Sequence, residues 1–164
     1  MGVTIAIAAF CTAGLLTSAI VRRLLPWLTA RRILAMPTER SSHRTPTPCG
    51  GGLGIVAVVV PVLALAGASG DPTWVACALG CAALAWCSWV DDRRGVAPLV
   101  RLGVQIVAVV GVVACLDRPV IDWLPGWFDR TLVALAWLWF TNLYNFMDGI
   151  DGLASGMAVA PLPA

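Results

Sequence analysis

An all-α polytopic membrane protein is the fold this sequence predicts, with five transmembrane helices, the start of a sixth and the N-terminus outside. Three observations lead there. Of 164 residues, 59% are hydrophobic and 12% charged, with a mean hydropathy of +0.85, well outside the range of ordinary soluble domains. The apolar residues fall in blocks close to the ~20 residues that a bilayer-spanning helix needs. The 11 basic residues are all Arg, and they are shared unevenly between alternate loops.

The blocks are 3–21, 53–68, 73–90, 99–116 and 131–147, the second and fifth being short for a full crossing. In the first, positive charge follows the apolar run at Arg22 and Arg23, whereas a secretory signal carries it in front. An uncleaved span with its N-terminus outside is the expectation. Between the first two blocks Pro37, Pro46 and Pro48 exclude a helix, and Gly50, Gly51 and Gly52 allow backbone conformations closed to other residues. The loop between the fourth and fifth blocks carries Trp123 and Trp127, as an interfacial aromatic belt would, and Trp27 and Trp74 fit the same role. Trp137 and Trp139 lie within a span and read as packing. A last apolar run from Leu153 to Ala164 is too short to cross and reads as a truncated sixth span. The six Cys show no CxxC; Cys77 and Cys81 at i,i+4 are expected to pack rather than bind metal.

On this topology Arg22, Arg23, Arg31, Arg32, Arg40, Arg44, Arg93, Arg94 and Arg101 share one side, and only Arg118 and Arg130 take the other. Nine against two is a positive-inside signal. It places loops 22–52, 91–98 and 146–152 in the cytoplasm. The net charge of +2 says little by itself, and the partner it leads us to expect is the bilayer rather than a nucleic acid.

Two acidic clusters then meet at one water–lipid boundary. Asp91 and Asp92 end the third block; Asn142, Asn145, Asp148 and Asp151 follow at intervals of three at the end of the fifth. Polar groups at a membrane edge are costly and point to function. On a helix, Asn142, Asn145 and Asp148 share a wedge of about 120°. Asp151 would face away unless the helix ends at Gly149 or Gly152, which would return it to the same site. Oxygen donors of this kind suit Mg²⁺, which is held by one or two carboxylates plus substrate phosphates and neutralises charge in phosphoryl transfer. Arg40, His43 and Arg44, next to the glycine-rich turn, are candidate phosphate binders. Arg101, with Gln105 one turn on, points into the same boundary. Plainer readings stand beside these: Asp91-Asp92 as a solvated helix end, His43 as a solvated loop residue, and Arg22, Arg23, Arg31 and Arg32 as topology signals that attract anionic lipid.

The segments Pro37-Thr-Glu-Arg-Ser-Ser-His-Arg-Thr-Pro-Thr-Pro-Cys-Gly-Gly-Gly, Val90-Asp-Asp-Arg-Arg-Gly, Arg101-Leu-Gly-Val-Gln and Asn142-Leu-Tyr-Asn-Phe-Met-Asp-Gly-Ile-Asp-Gly-Leu-Ala resemble glycosyl transferase family 4. These are the polyprenyl-phosphate N-acetylhexosamine-1-phosphate transferases, and the motifs come in family order. The Arg-Ser-Ser-His and Pro-Thr-Pro wording is more similar to the O-antigen branch, as in undecaprenyl-phosphate N-acetylglucosamine-1-phosphate transferases, than to the peptidoglycan branch.

The resemblance implies transfer of an N-acetylhexosamine-1-phosphate from a UDP-sugar to undecaprenyl phosphate, releasing UMP, with Mg²⁺ (Mn²⁺ as a substitute), at the cytoplasmic face of a bacterial inner membrane. It assigns Asp91 and Asp92 to catalysis and activation of the lipid phosphate. Asn142, Asn145, Asp148 and Asp151 would line the nucleotide-sugar site, with Asn145 and Asp148 at the metal; Arg40, His43, Arg44 and Arg101 would meet phosphate. Cys49 departs from the branch, which has Arg before the three glycines. Family members are also longer, with a later glycine–aspartate motif supplying a Mg²⁺ ligand and a later histidine loop, so this sequence reads as the N-terminal half. A catalytically inactive fragment, or a subunit needing a second chain, is therefore the alternative, and pairing with another copy stays open. A transporter is less well matched, because transport sites lie near the bilayer midplane and every polar group named here lies near a span end.

Overall fold

The computed structural model describes residues 2–31, 33–35, 47–48 and 50–147. Among them are five helices: α1 (Gly2–Ala30), α2 (Gly52–Gly67), α3 (Pro72–Arg94), α4 (Pro98–Ala114) and α5 (Gly126–Met147). Between α1 and α2, Leu34–Ala35 (β1) and Thr47–Pro48 (β2) form a two-residue strand pair. Two stretches are long and apolar enough to cross a membrane, Ile7–Ala30 and Pro72–Arg94; α2 and α4 are shorter apolar helices.

The chain divides into two units, the first holding α1 to α4. Here each helix packs on the next in sequence. Connections of three or four residues allow only antiparallel neighbours. Asp71 starts α3: its Oδ1 accepts the Thr73 N–H at 2.8 Å, and Pro72 occupies the first turn, where no N–H is required. Thr73 Oγ1 then donates to the Cys115 carbonyl at 2.9 Å, fastening the start of α3 to the end of α4.

Small residues set the helix spacing. A Cβ on Gly54 would collide with Val21 of α1, one on Gly67 would sit 2.6 Å from Val75 Cγ2, and Gly80 lies against Ala108. Close backbone approach at such residues is how helices associate without a hydrophobic driving force. The buried core is correspondingly thin: Leu28, Val58, Ala78, Val109, Val112 and Val113. Large apolar side chains face outward instead, among them Phe10 at 77% exposure, Leu65 at 74%, Val107 at 74% and Leu99 at 81%. An outward apolar surface on this scale fits lipid rather than water.

Helix bounds differ from the apolar blocks in an instructive way. The first block stops at Val21 because Arg22 and Arg23 follow, but α1 continues through both Arg residues and Pro26 to Ala30. Charge ends an apolar block without ending a helix, since Arg is a good helix former. For the same reason α3 runs to Arg94, so Asp91 and Asp92 lie in its last turns rather than beyond it. The six described Arg residues of this unit, at 22, 23, 31, 93, 94 and 101, all lie toward the end where α1 and α3 finish and α2 and α4 begin.

The second unit contains the 117–125 loop and α5. Asp129, in the first turn of α5, is fully buried and accepts N–H groups from Val120 at 3.1 Å and Ile121 at 2.9 Å. Acidic charge at a helix N-terminus is favourable, and here it also folds the preceding loop. Asp129→Ala is expected to leave two part-buried donors without their acceptor and to cost about 1–3 kcal/mol. Unfolding in mixed micelles would measure it, and a loss below about 0.5 kcal/mol would show that the loop holds without the carboxylate.

Candidate active site

The corner between α3 and α4 is built around Asp91. The helix stops at Gly95, whose φ of +67° suits glycine and whose N–H bonds the Asp91 carbonyl at 2.9 Å. Three residues on, Pro98 opens α4. Across this turn the Asp91 side chain holds both flanks: Oδ1 accepts the Val96 N–H at 2.7 Å, and Oδ2 accepts Arg101 Nη1 at 2.6 Å. The ion pair is partly sheltered, with side-chain exposures of 23% for Asp91 and 37% for Arg101. With a backbone bond added, it holds the corner more firmly than an isolated surface pair, which contributes up to about 1 kcal/mol.

Asp92 is placed differently. Its side chain is exposed, and it lies at the C-terminal end of α3, where the helix dipole opposes negative charge. Arg93 and Arg94 in the last turn offset that cost. Conflict between a residue and its local environment is the usual mark of a functional position. The adjacent carboxylates therefore have separate surroundings, one fastened into the turn and one presented outward.

The glycine-rich turn joins this end of the unit. Gly50 has φ +95°, and a Cβ there would stand 3.1 Å from Trp89 Cζ3 and 3.6 Å from Leu28 Cδ2. Only glycine tolerates both that backbone and that approach. The Trp89 ring also carries the Arg93 guanidinium, with Cζ 4.6 Å from the ring centroid, a cation–π contact. Arg31 stacks likewise on Trp27 at 5.3 Å. The glycine turn, Trp89, Arg93, Asp91, Asp92 and Arg101 thus belong to one end of one unit. Trp89 and the Val96 amide were not singled out as site residues in the sequence, although the i,i+4 spacing of Trp89 and Arg93 is the helical signal for such a stack.

Of the other candidates, Asn142 lies near the end of α5, in the second unit, and its Nδ2 donates to the Leu138 carbonyl one turn back at 2.9 Å. Asn145 falls in the last turn of α5. Arg40, His43, Arg44, Asp148 and Asp151 lie outside the described residues. Among the described residues no group of three or more His, Cys, Asp or Glu could hold a metal. Asp92 nevertheless offers an exposed hard oxygen donor of the kind Mg²⁺ takes alongside substrate phosphates.

Comparison with known proteins agrees with the motifs. The chain is 29% identical to the phospho-N-acetylmuramoyl-pentapeptide-transferase of Synechococcus sp. (strain JA-3-3Ab), over 91% of this chain and 49% of the relative. It is 31% identical to the decaprenyl-phosphate N-acetylglucosaminephosphotransferase of Mycobacterium leprae, over 77% and 36%. It is 27% identical to a probable undecaprenyl-phosphate N-acetylglucosaminyl 1-phosphate transferase of Bacillus subtilis, over 77% and 37%. The chain thus spans half or less of the length of these relatives, whose names cover more than one branch. No solved structure matches it. The sequence profile of glycosyl transferase family 4 matches residues 74–163, which take in Asp91, Asp92, Arg101 and the run from Asn142 to Asp151. With more than half of its length matched, the chain belongs to glycosyl transferase family 4.

Proposed function

We propose that this chain supplies one wall of a site that transfers an N-acetylhexosamine-1-phosphate from a UDP-sugar to undecaprenyl phosphate, releasing UMP. The observation that carries this reading is the α3–α4 corner, where Arg101 and Val96 fasten Asp91 and leave the neighbouring Asp92 exposed. The reaction sits at the cytoplasmic face of a bacterial plasma membrane that the chain crosses five times, N-terminus outside. The gathering of the described Arg residues of the first unit at one end supports that orientation. The lipid-linked sugar would serve synthesis of a cell-envelope polysaccharide, O-antigen or a related polymer.

In this reaction an oxygen of the lipid phosphate attacks the phosphorus that bears the sugar. The bond from that phosphorus to the UMP oxygen breaks, and UMP leaves with the electron pair. Asp92 takes the proton of the lipid phosphate as its oxygen becomes the nucleophile. Asp91 fixes the end of α3 and with it the position of Asp92, while Arg93 and Arg94 bring positive charge close to where phosphate must sit. Asn142, Asn145, Asp148 and Asp151 would receive the nucleotide sugar, and Arg40, His43 and Arg44 its phosphates. Mg²⁺ (or Mn²⁺) held by Asn145 and Asp148 would neutralise charge on the phosphoryl oxygens.

The direct test is UMP release from the purified chain in liposomes containing undecaprenyl phosphate, with Mg²⁺ and UDP-N-acetylglucosamine or UDP-N-acetylgalactosamine. Release that requires both substrates is the expected result; silence with every UDP-N-acetylhexosamine would remove autonomous transfer. Topology has a separate check, by impermeant thiol labelling of single Cys introduced beside Arg44 and Arg94 in a Cys-free background. Both positions are expected to label from the cytoplasmic side, and labelling from opposite faces would separate the two halves of the proposed site.

A further inference from the structure

Two tryptophans carry arginines at the end of the first unit where α1 and α3 finish, and they are held differently. Trp27 lies under Arg31, four residues on in α1, at 5.3 Å, and is 43% exposed. Trp89 lies under Arg93, again four residues on, at 4.6 Å, but it is half-buried. The glycine turn accounts for the difference. A Cβ at Gly50 would stand 3.1 Å from Trp89 Cζ3, 3.5 Å from Leu53 Cδ1 and 3.6 Å from Leu28 Cδ2. Leu28 is itself fully buried. The Trp89 ring is thus seated beside the end of α1, the turn and the start of α2, while Arg93 takes its face.

An arginine at a helix end has many rotamers, and a phosphate that recruits it must first restrict them. A ring under the guanidinium makes that restriction in advance. The stacked guanidinium keeps its N–H edge for the bidentate contact that a phosphate accepts. The Asp91 carboxylate, two residues before Arg93, is already engaged, because Arg101 Nη1 donates to its Oδ2 at 2.6 Å.

We propose that Trp89 is a positioning residue: seated by the glycine turn, it holds Arg93 beside Asp92 for a substrate phosphate. The proposal rests on the transferase reading given above for the nature of that phosphate, which belongs to the UDP-sugar or to the polyprenyl phosphate. Trp89 acts on either only through Arg93.

Nuclear magnetic resonance of the intact chain in nanodiscs, with ¹⁵N-labelled arginine, tests this without relying on turnover. Arg93 is expected to give an Nε–Hε signal displaced upfield by the ring. That signal should vanish in Arg93→Gln and move to the position of an unstacked arginine in Trp89→Leu. Titration with UDP-N-acetylglucosamine and, separately, with undecaprenyl phosphate gives a Kd for each. Trp89→Leu should raise at least one of them about three- to tenfold, the range a cation–π contact supplies. The ligand affected identifies the source of the phosphate. Trp27→Leu removes the exposed stack and should leave both values unchanged.

Charge is separated from packing by placing mono-, di- and trifluorotryptophan at position 89, which drain the ring face of negative charge at nearly constant shape. Kd is expected to climb step by step along that series while thermal unfolding stays the same. A Kd that is flat along the series, an Arg93 signal that is not displaced, or an equal effect of Trp27→Leu would overturn the proposal and leave Trp89 a packing residue. Failure of both ligands to bind the unsubstituted chain would remove the transferase reading and this role together. Absence of UMP release from a chain whose Kd still follows the fluorine series would remove autonomous transfer and leave the role of Trp89 standing.

Discussion

Asp92→Asn is expected to lower UMP release by about a thousandfold, in line with loss of a general base beside a developing charge. The substitution keeps the size of the side chain and removes only its charge and basicity. Because Asp92 is exposed at the negative end of a helix, neutralising it should change stability less than the same change at Asp91. Asp91→Asn should behave in the opposite sense. Its amide oxygen can still accept the Val96 N–H, but the ion pair with Arg101 is lost, so melting of the α3–α4 corner should come first and activity should fall by a smaller factor. The measurement is kcat alongside thermal unfolding for both variants. A larger loss of kcat for Asp91→Asn than for Asp92→Asn would reverse the roles assigned to the pair.

That division of roles was not legible in the sequence, where Asp91 and Asp92 are two identical letters. What separates them is the turn: Gly95 ends the helix, and the reversal brings the Val96 amide and Arg101 back onto the Asp91 carboxylate. The apolar helices, by contrast, could be read from composition, because a bilayer requires long apolar runs and leaves little freedom in where they fall. Their ends could not. Arg22 and Arg23 mark where apolar character stops, while helical hydrogen bonding in α1 carries on to Ala30. The glycine-rich turn was legible as a place where backbone freedom matters, but its neighbour was not: Trp89 lies 39 positions from Gly50 in the sequence, and only packing of α2 on α3 brings them together.

The three consecutive glycines at 50–52 should not respond alike to substitution. Gly51→Ala is expected to be nearly silent, because Gly51 has φ −54°, ψ −33° and open space where a Cβ would go. Restricting the unfolded chain could even stabilise that variant by about 0.4–1 kcal/mol. Gly50→Ala meets two penalties at once. Its φ of +95° is costly for any residue with a Cβ, at about 1–3 kcal/mol, and the new methyl group would press on the Trp89 ring at 3.1 Å. Trp89 cannot yield freely, since Arg93 stacks on the same ring. The expected loss is about 2–4 kcal/mol in total, with a shift of Arg93 and hence weaker use of the lipid acceptor. Unfolding in mixed micelles gives the first quantity and the KM for undecaprenyl phosphate the second. Equal behaviour of Gly50→Ala and Gly51→Ala would mean that the glycine turn does not bear on Trp89. The link from the glycine-rich loop to the phosphate end of the site would then be lost.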